Sequence, residues 1–209
     1  MNNTYPFVNT PLPYAYDALE PYIDEKTMHL HHDRHLQTYI DNLNAIIKEH
    51  PELQTWTLEG LLELSAFLPK EIRQPVINNA GGVYNHHFFF DSMTPAGKQP
   101  EENPLLAEIA RQFGSLEAFQ EQLKKEALAV FGSGYAWLAA DGGKLKIIRT
   151  ANQDTPLPLD LQPLLALDVW EHAYYLKHYN QRAAYIDDWF SVVDWEKASR
   201  RFAEIPRYL

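Results

Sequence analysis

The tripeptide Asp141-Gly142-Gly143 constrains the fold of this chain more than any other short segment. It stands between two runs, "YAWLAA" and "KLKIIRT", that are rich in aromatic and aliphatic residues. Such a turn between such runs is typical of a β-hairpin, because glycine accepts the positive φ angles that tight hairpin turns need. A third apolar run, "PLLALD", can add another strand. Since helical patterns follow it, the second half predicts an α+β fold.

The first half of the chain has helical patterns throughout. Asp24 is a suitable N-cap for an amphipathic helix over residues 25–50, which should end at His50-Pro51 because the residue before a proline is disfavoured in the helical conformation. A second helix is predicted to carry Pro75 in its first turn and to continue to Met93. Gly81 and Gly82 would cost this helix about 1 kcal/mol each relative to alanine, so we expect close packing against that backbone.

Residues 94–104, "TPAGKQPEENP", are rich in proline and polar side chains and predict a linker. They divide the chain into an N-terminal helical domain, residues 1–93, and a C-terminal α+β domain, residues 105–209. Within the second domain, Asn103 and Ser115 are suitable N-caps for two helices. The apolar pattern predicts helix again over residues 169–179 and in two segments near the C-terminus.

Composition excludes several functions. The 209 residues contain no cysteine, so disulfides, thiolate nucleophiles and sulfur ligands are absent. A net charge of -10 disfavours nucleic acids and anionic membranes as partners, because both are bound mainly through clustered Lys and Arg. No apolar run approaches the length of a membrane span, and the N-terminal segment lacks the features of a signal peptide. We therefore expect a cytoplasmic protein.

Candidate metal ligands come from three separate segments. On the first predicted helix, His31, His35 and Tyr39 share one face, since residues four apart are offset by roughly 40°. His86 lies on the second helix, and Asp168 and His172 are four residues apart at a predicted corner between strand and helix. The set suited to iron or manganese has three imidazoles and one carboxylate: His31, His86, Asp168 and His172.

Spacing alone leaves another interpretation open, in which these side chains are hydrogen-bonded core or surface residues. A lone buried imidazole is more often a core residue than a metal ligand. Four further histidines are expected at the surface or in loops: His29, His50, His87 and His178.

Six segments in order along the chain resemble the iron/manganese superoxide dismutase family: "LPYAYDALEPYID", "HHDRHLQTYIDNLNA", "NNAGGVYNH", "FGSGYAWL", "TANQDTP" and "LDVWEHAYYL". The resemblance covers nearly the whole chain. It implies a helical hairpin domain, an α+β domain with a three-stranded antiparallel sheet, and one manganese or iron ion between them. The implied ligands are His31, His86, Asp168 and His172, and the implied reaction converts superoxide into dioxygen and hydrogen peroxide.

The resemblance also gives roles to polar residues around the metal. Gln153 would hydrogen-bond the coordinated solvent and connect through Tyr39 to His35, a path that can deliver protons. Arg182, aided by Arg34, would attract the superoxide anion against the net negative charge.

A homodimer, which could pair into a tetramer, is a further implication. Glu171 would pair with His172 of the partner subunit, and Tyr174 with the partner's His35. Without the resemblance, Glu171 would be interpreted as a solvent-exposed glutamate and Tyr174 as a core residue.

The details resemble the manganese type within the family. Glutamine in "ANQD" together with "AGG" follows the manganese pattern, in which Gly82 makes room for Gln153. The side chains expected to exclude bulk water from the metal are aromatic: Phe90, Tyr135, Trp137 and Trp170. Phe90 and Tyr135 replace tryptophans usual in the family, Ala166 replaces a common glycine, and "RAAY" lacks the usual proline. We hypothesise a manganese enzyme that tolerates iron.

Two other functions fit parts of the sequence. A non-catalytic relative that serves as a scaffold should have lost a metal ligand, and none is lost. A mononuclear iron oxygenase would more often use two histidines and one carboxylate with open coordination positions, which the third histidine disfavours.

Overall fold

The first helical arm begins at Glu25 and ends at Lys48 in the computed structural model, which describes residues 3–96 and 102–205. Its parts are α1 (Glu25–Leu30), a π-helical segment (His31–Leu36) and α2 (Gln37–Lys48). The predicted cap is confirmed, since the Asp24 carboxylate accepts a 2.9 Å hydrogen bond from the backbone N–H of Thr27. The helix therefore forms where the sequence predicts it, but it contains a π-helical segment and ends two residues early.

The second arm begins earlier than predicted. Between the arms lie a 3-10 turn (Pro51–Leu53), α3 (Leu58–Glu63) and a second 3-10 turn (Ser65–Phe67). α4 spans Lys70–Phe90, so Pro75 lies inside the helix, and its placement in the first turn was wrong. The first turn of α4, before Pro75, is stabilised by the preceding segment. The Arg73 side chain donates hydrogen bonds to the carbonyls of Ala66 and Leu68 at 2.6 and 2.8 Å.

The predicted three-stranded antiparallel sheet is confirmed. Its strands are β1 (Gly134–Asp141), β2 (Lys144–Ala151) and β3 (Gln162–Asp168), in the order β2-β1-β3. The hairpin turn consists of Gly142 and Gly143, whose φ angles of 52° and 92° explain why glycine is needed there. The central strand β1 is buried along almost its whole length and forms the middle of the second domain's core.

Helices surround this sheet. α5 (Pro104–Phe113) and α6 (Leu116–Leu128) have the predicted caps, with Asn103 accepting from Leu106 N–H and Ser115 from Ala118 N–H. A 3-10 turn (Leu157–Leu159) precedes β3, and α8 (Arg182–Phe190) and α9 (Trp195–Ala203) end the described chain.

The prediction of one helix over residues 169–179 is wrong. After β3 the chain forms a 3-10 turn (Glu171–Ala173) and the single-turn α7 (Tyr175–His178). The Asp168 carboxylate accepts a 2.8 Å hydrogen bond from the N–H of Trp170, a local turn that competes with helix formation.

The domains meet where α4 ends. Asp91 forms ion pairs with Lys197 and Arg201 of α9, the latter at 2.9 Å, and Arg201 also donates to the Leu164 carbonyl of β3. The linker at residues 94–104 stays a prediction, and residues 97–101 lie outside the described ranges. Among the described helices, none is both long and apolar enough to cross a membrane.

Candidate metal centre

Four donor atoms from four different elements converge between the two domains. His31 begins the π-helical segment, His86 lies on α4, Asp168 ends β3, and His172 lies in the 3-10 turn after it. Their donor atoms all lie within 4.8 Å of one another. The Asp168 Oδ2 atom is 3.2 Å from His31 Nε2 and 3.4 Å from His172 Nε2. The structure therefore brings together the four residues that the spacing and the resemblance indicated.

The converging atoms are buried and lack hydrogen-bond partners. None of the Nε2 atoms of His31, His86 and His172, nor Asp168 Oδ2, has such a partner among the described residues. Elsewhere on two of these side chains the polar atoms are satisfied: His86 Nδ1 is 2.6 Å from the Gly82 carbonyl, and Asp168 Oδ1 accepts from Trp170. A carbonyl only accepts, so His86 Nδ1 holds the proton and Nε2 presents a lone pair. Four unpaired acceptors facing one another fit a bound cation.

The protonation states also fit a cation. Burial, and then the nearby His172, lower the pKa of His31 to about 4. Burial and His31 lower the pKa of His86 well below its usual value. Burial alone would raise the pKa of Asp168, but His172 and His31 hold it well below its usual range. His31 and His86 are therefore neutral and Asp168 is anionic at neutral pH, as metal ligands must be.

The π-helical segment sets the relation between His31 and His35. The imidazole of His35 stacks on that of His172 at 4.3 Å, and its centroid is 6.4 Å from that of His31. π-helical turns inside α-helices are frequent at functional sites. Residues four apart share a face in either helix type, so the sequence pattern could not distinguish them.

A buried amide network lies beside the four donors. Gln153 donates from Nε2 to the Tyr39 hydroxyl at 3.2 Å, as the resemblance implied for this pair. Asn85 donates from Nδ2 to the Gln153 side-chain oxygen at 3.1 Å and to its backbone carbonyl at 3.1 Å. Asn85 was not predicted as a site residue, and its only signal in the sequence is its position directly before His86.

The two glycines of α4 face different partners. A Cβ atom at Gly81 would lie 2.1 Å from the Gln153 carbonyl oxygen, and one at Gly82 would lie 2.4 Å from the Tyr39 ring. Close packing against this backbone is thus confirmed. The expected role of Gly82 changes, because the atoms nearest to it belong to Tyr39, whereas Gly81 is the glycine packed against Gln153.

Aromatic side chains surround the donors. The ring centroid of Phe90 is 4.9 Å from that of His31, Tyr135 is 6.5 Å from His86, and Trp170 stacks on His172 at 5.4 Å. Trp137 lies one layer further out, 5.6 Å from Tyr135, and its indole donates to Thr150. Phe89, which was not predicted, also contacts His31 at 5.3 Å.

Arg182 is held by backbone carbonyls. Its guanidinium donates to Val130 at 2.8 Å and Gly132 at 2.7 Å, and its Nε donates to the Tyr174 hydroxyl at 3.2 Å. Tyr174 is buried, whereas Glu171 and Arg34 are exposed.

Two predictions for histidines outside the site were wrong. His178 is only 9% exposed and lies 2.8 Å from the Asp188 carboxylate. His87 is half-buried within α4, and burial lowers its pKa to about 4. His29, by contrast, is exposed and stacks on Tyr16 at 3.8 Å.

A helical hairpin joined to a small α+β domain, with three imidazoles and one carboxylate buried between them, defines a class of two-domain protein with a site for a single metal ion. Residues 6–94 match the family description "Iron/manganese superoxide dismutases, alpha-hairpin domain", and residues 100–201 match "Iron/manganese superoxide dismutases, C-terminal domain". The chain belongs to the iron/manganese superoxide dismutase family.

Relatives cover almost the whole chain. A manganese superoxide dismutase of Pseudomonas aeruginosa is 46% identical over 200 residues, which are 95% of this chain and 98% of the relative. One of Leptolyngbya boryana is 45% identical over 94% of this chain and 81% of its own length. One of Listeria innocua is 46% identical over 91% of this chain and 95% of its own.

Proposed function

We propose that the protein is a superoxide dismutase that converts two superoxide anions and two protons into dioxygen and hydrogen peroxide. One metal ion per subunit would be held by His31, His86, Asp168 and His172. The observation that carries the proposal is the convergence of four buried donor atoms with no other partner among the described residues. When bound, a redox-active ion takes an electron from one superoxide and gives it to another.

The protons for peroxide formation would come through Gln153 and Tyr39. Burial raises the pKa of Tyr39, although the hydrogen bond from Gln153 opposes that shift, so the phenol keeps its proton at neutral pH. Asn85 fixes the orientation of the Gln153 amide, because its Nδ2 donates a hydrogen bond to the Gln153 side-chain oxygen. Gln153 thereby presents its N–H groups to Tyr39 and to the metal side, while His35, at the exposed end, receives protons from solvent.

Arg182 would guide the anionic substrate. The net charge of -10 repels superoxide from the molecule as a whole, so entry depends on local positive charge. Val130 and Gly132 fix the Arg182 guanidinium, and Arg34 adds an exposed cation.

Manganese is the proposed ion, with some activity expected for iron. The relatives named above are manganese enzymes, and Gln153 comes from the "ANQD" segment that resembles the manganese type. Phe90, Tyr135 and Ala166 depart from the family pattern around the metal, which is why iron tolerance is proposed.

A cytoplasmic homodimer is proposed as the assembly. Exposed apolar side chains lie near the site in sequence, including Phe131 and Tyr175, and a partner subunit would cover such surface. The exposed Glu171 is available to pair with His172 of the partner subunit. The acidic composition supports the absence of nucleic-acid and membrane partners.

Metal analysis by mass spectrometry, with superoxide dismutation measured on the same sample, tests the proposal. About one manganese or iron per subunit with high activity is expected. Reconstituted manganese and iron forms compared at equal occupancy then test the metal preference, and a more active iron form would refute it. Protein that stays inactive after loading would support the scaffold, and oxidation of an organic substrate dependent on 2-oxoglutarate would support the oxygenase.

A further inference from the structure

The turn between α7 and α8 contains an aromatic residue in a backbone conformation that favours glycine. Tyr179 has φ 52° and ψ -126°, which are close to the angles of the first central residue of a type II′ turn. The backbone N–H of Gln181 closes the turn by donating a 2.9 Å hydrogen bond to the carbonyl of His178. A bulky side chain at positive φ is strained, and strained residues persist only where the surrounding structure holds them. Contacts outside the turn must therefore keep it closed.

A side-chain hydrogen bond spans this turn. His178, the last residue of α7, has its Nε2 atom 2.8 Å from the Asp188 carboxylate on α8. A carboxylate only accepts, so Nε2 carries the proton and donates it. The imidazole is only 9% exposed, and its Nδ1 has no hydrogen-bond partner among the described residues. The bond to Asp188 thus connects the helices on either side of the strained turn.

Aromatic packing continues from this bond to Arg182. The His178 ring meets that of Tyr185 edge-on at 5.7 Å between centroids, and Tyr185 stacks on Tyr174 at 5.1 Å. The Tyr174 hydroxyl accepts a hydrogen bond from Arg182 Nε at 3.2 Å. Arg182 is the first residue of α8 and directly follows the turn. The conformation of the turn therefore sets the position from which the Arg182 side chain extends.

The guanidinium of Arg182 is fixed at its other end. It donates to the carbonyls of Val130 and Gly132 at 2.8 and 2.7 Å, and both residues lie between α6 and β1. Hydrogen bonds weaken steeply as their angles depart from the favoured range. Opening of the turn would displace the start of α8, so the guanidinium would lose its fixed position on these carbonyls.

We propose that the hydrogen bond between His178 and Asp188 keeps the strained turn at Tyr179 closed, and thereby holds Arg182 in the position from which it attracts the anionic substrate. The inference rests on the proposed function, in which Arg182 guides superoxide. His178 and Asp188 are positioning residues, because they act through Arg182 and are not among the four converging donor residues. Tyr179→Gly should remove the strain, since glycine adopts positive φ angles readily, so the turn should then stay closed without the bond.

Amide hydrogen exchange of the metal-loaded protein, resolved at Gln181 by mass spectrometry, tests the state of the turn. Asp188→Ala removes the acceptor and should speed exchange of the Gln181 N–H by about tenfold, because the turn opens locally. Adding Tyr179→Gly to Asp188→Ala should return the rate to near that of the wild type. Asp187→Ala is the matched control, since it removes the same charge from the same helix but breaks an exposed pair with Lys124 of α6. Its exchange rate should equal that of the wild type.

Stopped-flow kinetics over a range of salt concentrations test the link to substrate attraction. Asp188→Ala should lower kcat/KM for superoxide by about threefold at low ionic strength and weaken its salt dependence, while metal content stays unchanged. Asp187→Ala has the same net charge and should keep the wild-type salt dependence. Tyr179→Gly should restore that dependence in the Asp188→Ala background. If Asp188→Ala does not fold, His178→Phe removes the donor instead, and the same results are expected.

Equal exchange rates at Gln181 in Asp188→Ala and Asp187→Ala would overturn the inference. Faster exchange that Tyr179→Gly does not reverse would also overturn it, because the bond would then not oppose strain in the turn. Faster exchange with an unchanged salt dependence of kcat/KM would refute the link to Arg182. The proposed function fails separately, if the loaded wild-type protein shows no dismutation, and the exchange measurement does not depend on that activity.

Discussion

His86 is oriented by one backbone hydrogen bond, from its Nδ1 to the carbonyl of Gly82 four residues earlier on the same helix. This bond fixes both the tautomer and the direction of the free nitrogen. The adjacent His87 leaves the helix in a different direction, and its buried Nε2 has no hydrogen-bond partner among the described residues. Two neighbouring histidines with similar sequence context thus differ in their surroundings, and both the spacing and the resemblance indicated His86 as the metal ligand.

Replacing these histidines separately tests the assignment. His86→Ala should reduce the metal content per subunit nearly to zero, because it removes one of four donors. His87→Ala should retain close to the wild-type content, since its ring is not among the converging donors. Elemental analysis after dialysis measures both. Equal metal content in the two variants would mean that the wrong histidine was chosen.

Asp33 gives a second prediction for a single residue. Burial alone would raise its pKa, but hydrogen bonds with His29, His32 and Tyr16 lower it from 3.8 to about 2. A carboxyl whose pKa is lower in the folded state stabilises the fold above its unfolded pKa and loses that contribution as pH falls through its folded pKa. The contribution of Asp33 should therefore vanish between about pH 4 and pH 2.

Urea unfolding of the metal-free protein at pH 5 and pH 3 measures this contribution. Asp33→Asn should be less stable than the wild type at pH 5, and the difference should shrink at pH 3. Asp17→Asn, a change at an exposed aspartate, should show no such trend. A difference that grows on acidification would contradict the assignment of hydrogen bonds to Asp33.

At the scale of elements, the sequence predicted the helix caps and the hairpin turn correctly, because these features depend on residues that are neighbours in the chain. The caps at Asp24, Asn103 and Ser115 and the glycine turn of the hairpin need only neighbouring residues, and all were predicted correctly. The start of α4 was missed because side-chain bonds from Arg73 to the preceding loop support helix before the proline. The turn after β3 was missed because the Asp168 side chain competes with the helical pattern.

The glycines of α4 provide a test at this scale. Gly81→Ala should be the most destabilising of three changes, because its Cβ would meet a backbone oxygen at 2.1 Å. Gly82→Ala should cost about 1–3 kcal/mol, a typical cost of overpacking, since its Cβ would meet the Tyr39 ring. Gly60→Ala in α3 is the control, as its nearest contact is a hydroxyl at 3.1 Å. Thermal unfolding ranks the three, and a Gly60 variant as unstable as the others would contradict the packing argument.

At the scale of the whole molecule, Asp91 at the end of α4 forms ion pairs with Lys197 and Arg201 of α9 across the junction of the domains. Arg201 is only 17% exposed, and it places its guanidinium 4.0 Å from the centre of the Phe88 ring as well as bonding Asp91. The metal donors lie on both sides of this junction, so the packing of the two domains determines how the donors are placed relative to one another. Long-range convergence of this kind could not be predicted from spacing. It depended on the resemblance, because no local pattern states which helix face meets which strand end.

Asp91→Ala should lower the free energy of unfolding by about 1–3 kcal/mol, because Arg201 and Lys197 would lose a partly buried partner. The matched control is Glu196→Ala, which breaks an exposed 3.6 Å pair with Arg200 and should change stability by less than about 0.5 kcal/mol. Denaturant unfolding measures both. Similar losses would show that Asp91 does not join the domains.

Charge over the whole surface leads to a kinetic prediction. Arg182→Gln should lower kcat/KM for superoxide by about tenfold and weaken its dependence on ionic strength, because a local attraction is lost. Arg200→Gln removes the same charge from the exposed face of α9 and should leave kcat/KM almost unchanged. Stopped-flow measurements over a range of salt concentrations test this. Equal effects of the two changes would indicate that only the net charge matters.

The spread of the four donors along the chain has a mechanical consequence. With an ion in place, His31 and His172 are connected through it, and most of the chain lies between them in sequence. If the molecule were pulled by its two ends, the coordination bonds would carry the tension. The segment between His31 and His172 would then bear no force. Rupture of the coordination bonds would then release the whole segment at once, and each of its residues would add at most about 3.6 Å to the end-to-end extension of the chain. The metal centre would act as a cross-link, and its rupture would appear as one long step in a force–extension measurement.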